Sequence, residues 1–227
     1  MLTKVNKMNR KIKIAILLIV LGGALIVSQK SLDVFWPRFM DFTNPGYYDL
    51  LEKQWENKSV DFLIAKLGHP SMYDSVASSI LARRPDRSKI NKLVSIIEKD
   101  SNWKRKNSAL AVLFYWNENI ALNESMKIIE KMPENNQLYL SALRSLAQRK
   151  YDPAFKYVLD LAKRSDAISN GSVAMLASYG KADSLPFLES LRSQIRHSDK
   201  IIEQIDTETI ANAIRSIKEK NGIKDNE

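Results

Sequence analysis

Few side chains in this sequence are equipped for chemistry, and their spacing says more than their number. The 227-residue chain has no cysteine and two histidines, His69 and His197. The lack of cysteine excludes a disulfide framework, a thiolate zinc site, an iron–sulfur cluster and a cysteine nucleophile. His69 lies in the turn-like string Leu67-Gly68-His69-Pro70, and His197 lies near the end of a long amphipathic stretch. Neither belongs to a His-x-x-x-His, His-Glu or Ser-His-Asp pattern, so both read as structural or surface residues. The carboxylates mostly stand beside lysine, as in Glu98-Lys99, Glu130-Lys131 and Glu219-Lys220, the pattern of solvated helix faces. Seven glycines argue against a Gly-rich phosphate loop. The residues therefore point to no catalytic pair, no metal ligand set and no cofactor.

Recognition chemistry is better represented. Gln54, Arg84, Trp116, Arg149 and Tyr179 form a row of large polar and aromatic side chains at separations of 30, 32, 33 and 30 residues. If structurally equivalent units stack, such a row becomes a ridge, either of side chains that simply snorkel at helix ends or of groups that bind an acidic or aromatic peptide. Arg84, Trp116, Arg149 and Tyr179 are accordingly candidate partner-binding residues. Tyr115 joins them, because it and Trp116 fall toward the edge of their helix while Phe114 faces the core. A second aromatic group, Phe35, Trp36, Phe39 and Phe42, precedes Tyr47 and Tyr48. It reads as a cap on the first unit, an interfacial belt, or a docking segment for another membrane protein.

The elements that would position these residues repeat. Three residues before each member of the row stands a leucine: Leu51, Leu81, Leu113, Leu146 and Leu176. Four residues before the leucines come Tyr47, Ala77, Ala109, Ala142 and Ser172, mostly small. Nine residues after them come Val60, Ile90, Leu122, Phe155 and Leu185, all apolar. Twelve after come Leu63, Leu93, Ser125, Val158 and Leu188, with Met126 beside the one polar exception. The first two positions share a face of one helix and the last two a face of a second. Turn and cap signals lie between: Asp86, Asn119, Asp152-Pro153, Gly180 and Asp183-Ser184 ahead of Pro186. The pattern predicts first helices near 46–56, 72–84, 103–116, 135–149 and 168–179. Second helices are expected near 59–67, 87–99, 120–131, 153–164 and 183–196, with a final helix at 206–220. No long stretch alternates with the period of a strand.

The string Met175-Leu-Ala-Ser-Tyr-Gly-Lys-Ala-Asp-Ser-Leu-Pro-Phe-Leu-Glu-Ser-Leu191 resembles the consensus of HEAT-like repeats of the phycobilin-lyase type, and Leu146 to Lys163 resembles it too. The units at Leu51 and Leu113 depart from the pattern. The resemblance implies an all-α fold, a right-handed α-solenoid of about five helical hairpins, and it says little about function. Members of this class are mostly binding scaffolds. HEAT-like metal hydroxylases need paired His-Glu motifs that this chain lacks. HEAT-like alkylpurine glycosylases use Trp, Arg and Asp; Trp103, Trp116, Arg149 and Asp152 fit that only loosely.

The charge pattern supplies topology. Of the net charge of +9, residues 1–30 carry six cations and no acid, which leaves the remainder close to balance. A near-neutral body lacks the basic footprint of a nucleic-acid binder, so no nucleic acid is expected. The leader runs from a basic stretch into Ile14 to Val27, which is uncharged. Residues 12–28 thus read as an N-terminal hydrophobic helix, an uncleaved signal anchor; the alternative is a signal removed on export to the periplasm. Positive residues ahead of it keep the N-terminus cytoplasmic. The resulting organisation is a leader and anchor at 1–30, an aromatic juxtamembrane linker at 31–45, a repeat domain at 46–220 and a polar tail at 221–227. The expected protein is a non-catalytic scaffold in the cell inner membrane with its repeats on the periplasmic side, holding a protein partner. The competing expectation is an enzyme or enzyme subunit with a substrate in the groove.

Overall fold

The computed structural model describes residues 46–69, 72–164, 170–196 and 206–224. The expected span at 12–28, the aromatic residues Phe35, Trp36, Phe39 and Phe42, and His197 lie outside the described residues. Within them all regular structure is helical, with no strand, and no helix is long and apolar enough to cross a membrane. The chain divides into two compact units at Asp86/Arg87.

The first unit contains α1 (Tyr47–Trp55), α2 (Val60–Lys66) and α3 (Met72–Arg83), with α3 packed against both of the others. Ser59 starts α2 by accepting a hydrogen bond from the Phe62 N–H at 3.2 Å. Leu51, Leu63, Ile64, Val76, Ala77, Ile80 and Leu81 fill the interior. Trp55 closes it with an edge-on contact to Phe62, 5.2 Å between centroids, and a tilted one to Tyr73 at 5.3 Å.

The second unit contains α4 (Ile90–Lys99), α5 (Trp103–Trp116), α6 (Glu118–Lys131), α7 (Gln137–Gln148), α8 (Phe155–Lys163), α9 (Asn170–Tyr179), α10 (Leu185–Arg196) and α11 (Thr207–Asn221). Each helix packs on near neighbours in the chain. In addition α5, α7, α9 and α11 pack on one another in succession, forming a continuous row of first helices. On α11 the stripe Ile210, Ala213, Ile214 and Ile217 is buried, while Glu208, Asn212, Arg215 and Glu219 are exposed. That is the pattern of an amphipathic helix that packs on one side only.

The repeat offsets carry the core. All five aligned leucines are buried, as are Ala77, Ala109, Ala142 and Ser172 four residues before them. All five residues at twelve after are fully buried, Ser125 included. Met126, beside Ser125, is only half-buried. The serine stays inside because its hydroxyl donates to the Ala121 carbonyl one turn back, at 2.8 Å. Each fully buried leucine is worth about 1.5–3 kcal/mol, so these positions dominate the interior.

The local signals act at nearly the expected places. Short 3₁₀ turns at Arg87–Lys89, Asp152–Ala154 and Ala182–Ser184 occupy one common register, six to eight residues past the leucine, and lead into α4, α8 and α10. In the third repeat that turn is missing. Asn117, not Asn119, is the cap: its side chain accepts from the Ile120 N–H at 3.2 Å, and α6 follows α5 after a single residue. Asn102, Asn136 and Asp206 cap α5, α7 and α11 in the same way. After α9 the chain turns through Gly180 with φ +69°; in the same register after α7, Lys150 takes φ 53°.

Candidate functional site

Of the predicted row, Trp116 and Tyr179 are buried, Arg84 is half-buried, and Gln54 and Arg149 are exposed. Arg84, just past α3, donates from Nη1 to the carbonyls of Glu56 at 2.6 Å and Lys58 at 3.1 Å, in the turn that follows α1. Arg149 places its guanidinium 3.8 Å from the Phe114 ring centroid and its Nε 3.2 Å from Glu118. The Tyr179 hydroxyl donates to the Tyr151 carbonyl at 2.9 Å, and its ring meets Phe155 edge-on, 5.3 Å between centroids. Burial, followed by the nearby Asp152 charge, pushes the Tyr179 phenol far above its ordinary range. Trp116 is 7% exposed and Tyr179 6%. Each tied residue therefore reaches back about one repeat and holds the preceding turn. Lys181 adds to the last tie, with Nζ 2.9 Å from Asp152 and 4.8 Å from the Phe155 centroid.

The physical reason is positional. A residue at the end of the first helix lies beside the turn of the previous hairpin, where free carbonyls need donors. Long polar side chains there meet that need. Among the described sequence-selected residues, Tyr115 stands in solvent at 70% exposure, and Arg149 is exposed too, although Phe114 and Glu118 hold its guanidinium. Trp103, at the opposite end of α5, is 42% exposed, with the Lys104 ammonium 5.9 Å from its ring.

Sequence reasoning missed Glu124. Its position on α6 belongs to the buried stripe Ala121, Glu124, Ser125, Ile128 and Ile129, and it is 4% exposed. Glu124 is the one buried charged residue among those described. The Lys127 ammonium lies 2.6 Å from its carboxylate and 3.7 Å from Glu98. The Glu124 hydrogen bond, then the charges of Glu124 and Glu98, hold the Lys127 proton above the ordinary lysine range. The available signal was a glutamate at a core position of the 3.6-residue pattern, one place before Ser125.

Glu124 and Lys127 stand between two open hollows. One, about 200 Å³, is lined by Ile97, Lys106, Ile128 and Met132 among others. The other, about 620 Å³, is bordered by Ile120, Met126, Tyr151 and Pro153. A carboxylate–ammonium pair at this point can bind a polar group, and its proton is held by the pair itself. Among the described residues no group of three or more His, Cys, Asp and Glu side chains could hold a metal ion, and His69 is half-buried in its turn.

In the first unit, Arg83 and Ser79 both donate to Glu52, at 2.8 and 3.0 Å. The Arg83 bond, then the Ser79 bond, holds the Glu52 carboxyl below its usual range. This is a bridge between α1 and α3, made by the same kind of backward reach. No known protein family, curated protein or solved structure matches this chain.

Proposed function

We propose that this protein is a non-catalytic, membrane-anchored scaffold, a HEAT-like α-solenoid that binds a protein partner on the extracytoplasmic side. One observation carries the reading. Arg84, Arg149 and Tyr179 of the repeated row are spent on ties to preceding turns, while two aromatic side chains on α5, Tyr115 above all and then Trp103, stand in solvent. Exposed aromatic anchors over a rigid helical frame favour macromolecular contact, because little side-chain freedom is lost on binding. The anchor at 12–28 would confine the domain to the membrane surface and raise its effective concentration toward a membrane partner. The residues Phe35, Trp36, Phe39 and Phe42 would then lie next to the bilayer, available for docking. The positive-inside arrangement of the leader supports a cytoplasmic N-terminus and periplasmic repeats.

Crosslinking and pull-down from intact membranes test the proposal. A discrete protein recovered with the wild type and reduced with Tyr115→Ala supports it; recovery of nucleic acid alone, or of no protein, overturns it. Intact mass of the mature chain tests the anchor, since loss of residues 1 to about 28 would mean a cleaved signal. The enzyme alternative rests on the Glu124–Lys127 pair at the two hollows. It requires Glu124→Gln to abolish an activity without loss of partner capture.

A further inference from the structure

Resting on the scaffold reading, we infer that the exposed face of α5, α7 and α9 is the docking surface and that the partner presents an acidic segment to it. In these helices the core takes the aligned leucine and the residue four before it. Two residues correspond to about 200° of helix, so the positions two before and two after the leucine turn to the opposite side. They are Ala111 and Tyr115 on α5, Arg144 and Gln148 on α7, and Ala174 and Ser178 on α9. The first five are exposed and Ser178 is half-buried. Because α5 packs on α7 and α7 on α9, the six form one strip. With helices about 8–10 Å apart, and paired positions about 6 Å apart along each axis, the strip is about 20 Å long. An extended segment of about six residues spans that length.

The composition of the strip selects its occupant. Ala111, Ala174 and Ser178 are small, and the Ser178 hydroxyl is turned back onto the Ala174 carbonyl at 2.9 Å. Tyr115 and Arg144 therefore stand clear of their surroundings. Arg144 is the single charge among the six. The acids that follow Tyr115 and Gln148 within four residues of the chain, Glu118 and Asp152, are already engaged, Glu118 by Arg149 at 3.2 Å and Asp152 by Lys181 at 2.9 Å. An exposed guanidinium with no competing carboxylate on its strip favours a carboxylate ligand, which it can hold through two parallel hydrogen bonds. Tyr115, presenting a rigid ring with a polar tip, supplies the apolar anchor beside it.

A photo-crosslinking side chain placed in turn at 115, 148 and 178 of the full-length, membrane-bound protein tests this, with position 163 on α8 as the comparison. The expected result is one partner protein crosslinked from 115, 148 and 178 and not from 163, through a peptide of net negative charge. Arg144→Glu should lower the crosslink yield at least tenfold, with unchanged thermal unfolding. A neutral or basic crosslinked peptide, a nucleic acid, a second copy of this chain, or a yield indifferent to Arg144→Glu would overturn the assignment. A partner crosslinked from 163 alone would leave the scaffold reading standing and remove this face from it. No crosslinked protein at any position would overturn both.

Discussion

Replacing Tyr179 with phenylalanine separates a structural tie from a binding residue. The substitution keeps the ring against Phe155 and removes only the hydroxyl that donates to the Tyr151 carbonyl at 2.9 Å. A neutral hydrogen bond contributes about 0.5–1.5 kcal/mol net, and an acceptor orphaned in a dry site costs about 1–3 kcal/mol. This bond is only part-buried, so water can reach the carbonyl and the lower figure applies, about 1 kcal/mol. For a helical region of this size that is a fall in Tm of about 2–4 °C. Tyr179→Ala also empties the space of a ring that is 6% exposed, and should cost about 3–5 kcal/mol. Thermal and urea unfolding followed by far-ultraviolet circular dichroism reads both. A Tyr179→Phe variant within about 0.3 kcal/mol of the parent, well under the size of one such bond, would refute the tie. So would loss of partner capture at unchanged stability, which would return Tyr179 to the binding surface.

Three other outcomes are expected. Lys127→Ala should lower stability, because it leaves the buried Glu124 carboxylate without its ammonium, whereas Glu124→Leu should be neutral or stabilising; chemical denaturation of the two variants distinguishes them by the sign of the change. Gly180→Ala should cost about 1–2 kcal/mol by the same assay, since the residue sits at φ +69° and a Cβ would meet the Lys220 Cδ at 2.7 Å. That clash also displaces the Lys220 ammonium from the Ala177 carbonyl. Finally, burial pushes the Tyr139 phenol from 10.0 to about 12 and raises Tyr179 further. Both are therefore neutral in the fold at pH values where the unfolded chain already ionises them. The contribution of these two tyrosines should be constant below pH 10, and stability should fall as the pH rises from 10 toward 12. Tyr179→Phe should flatten part of that alkaline limb.

The helical class and the buried positions were legible in the sequence because both follow from local geometry. A leucine with a small residue four places before it must share a helix face with it, and at Ala77, Ala109, Ala142 and Ser172 that face is the core. The helix limits follow from caps and turns to within about three residues; the start of α6 moved because Asn117, not Asn119, is the cap and leaves a one-residue link. Two features were not legible. Glu124 occupies a position where the pattern calls for an apolar residue, and only the approach of Lys127 on the same helix and Glu98 from α4 makes that tolerable. The row at Arg84, Trp116, Arg149 and Tyr179 was found by periodicity, yet spacing along one chain cannot say whether a helix-end side chain points to solvent or to the preceding turn. Periodicity assigns a side chain to a face of its own helix, and the sequence alone determined that much here. What lies opposite that face depends on how hairpins distant in the chain are brought together, so the division between tie and free surface was left to the tertiary structure.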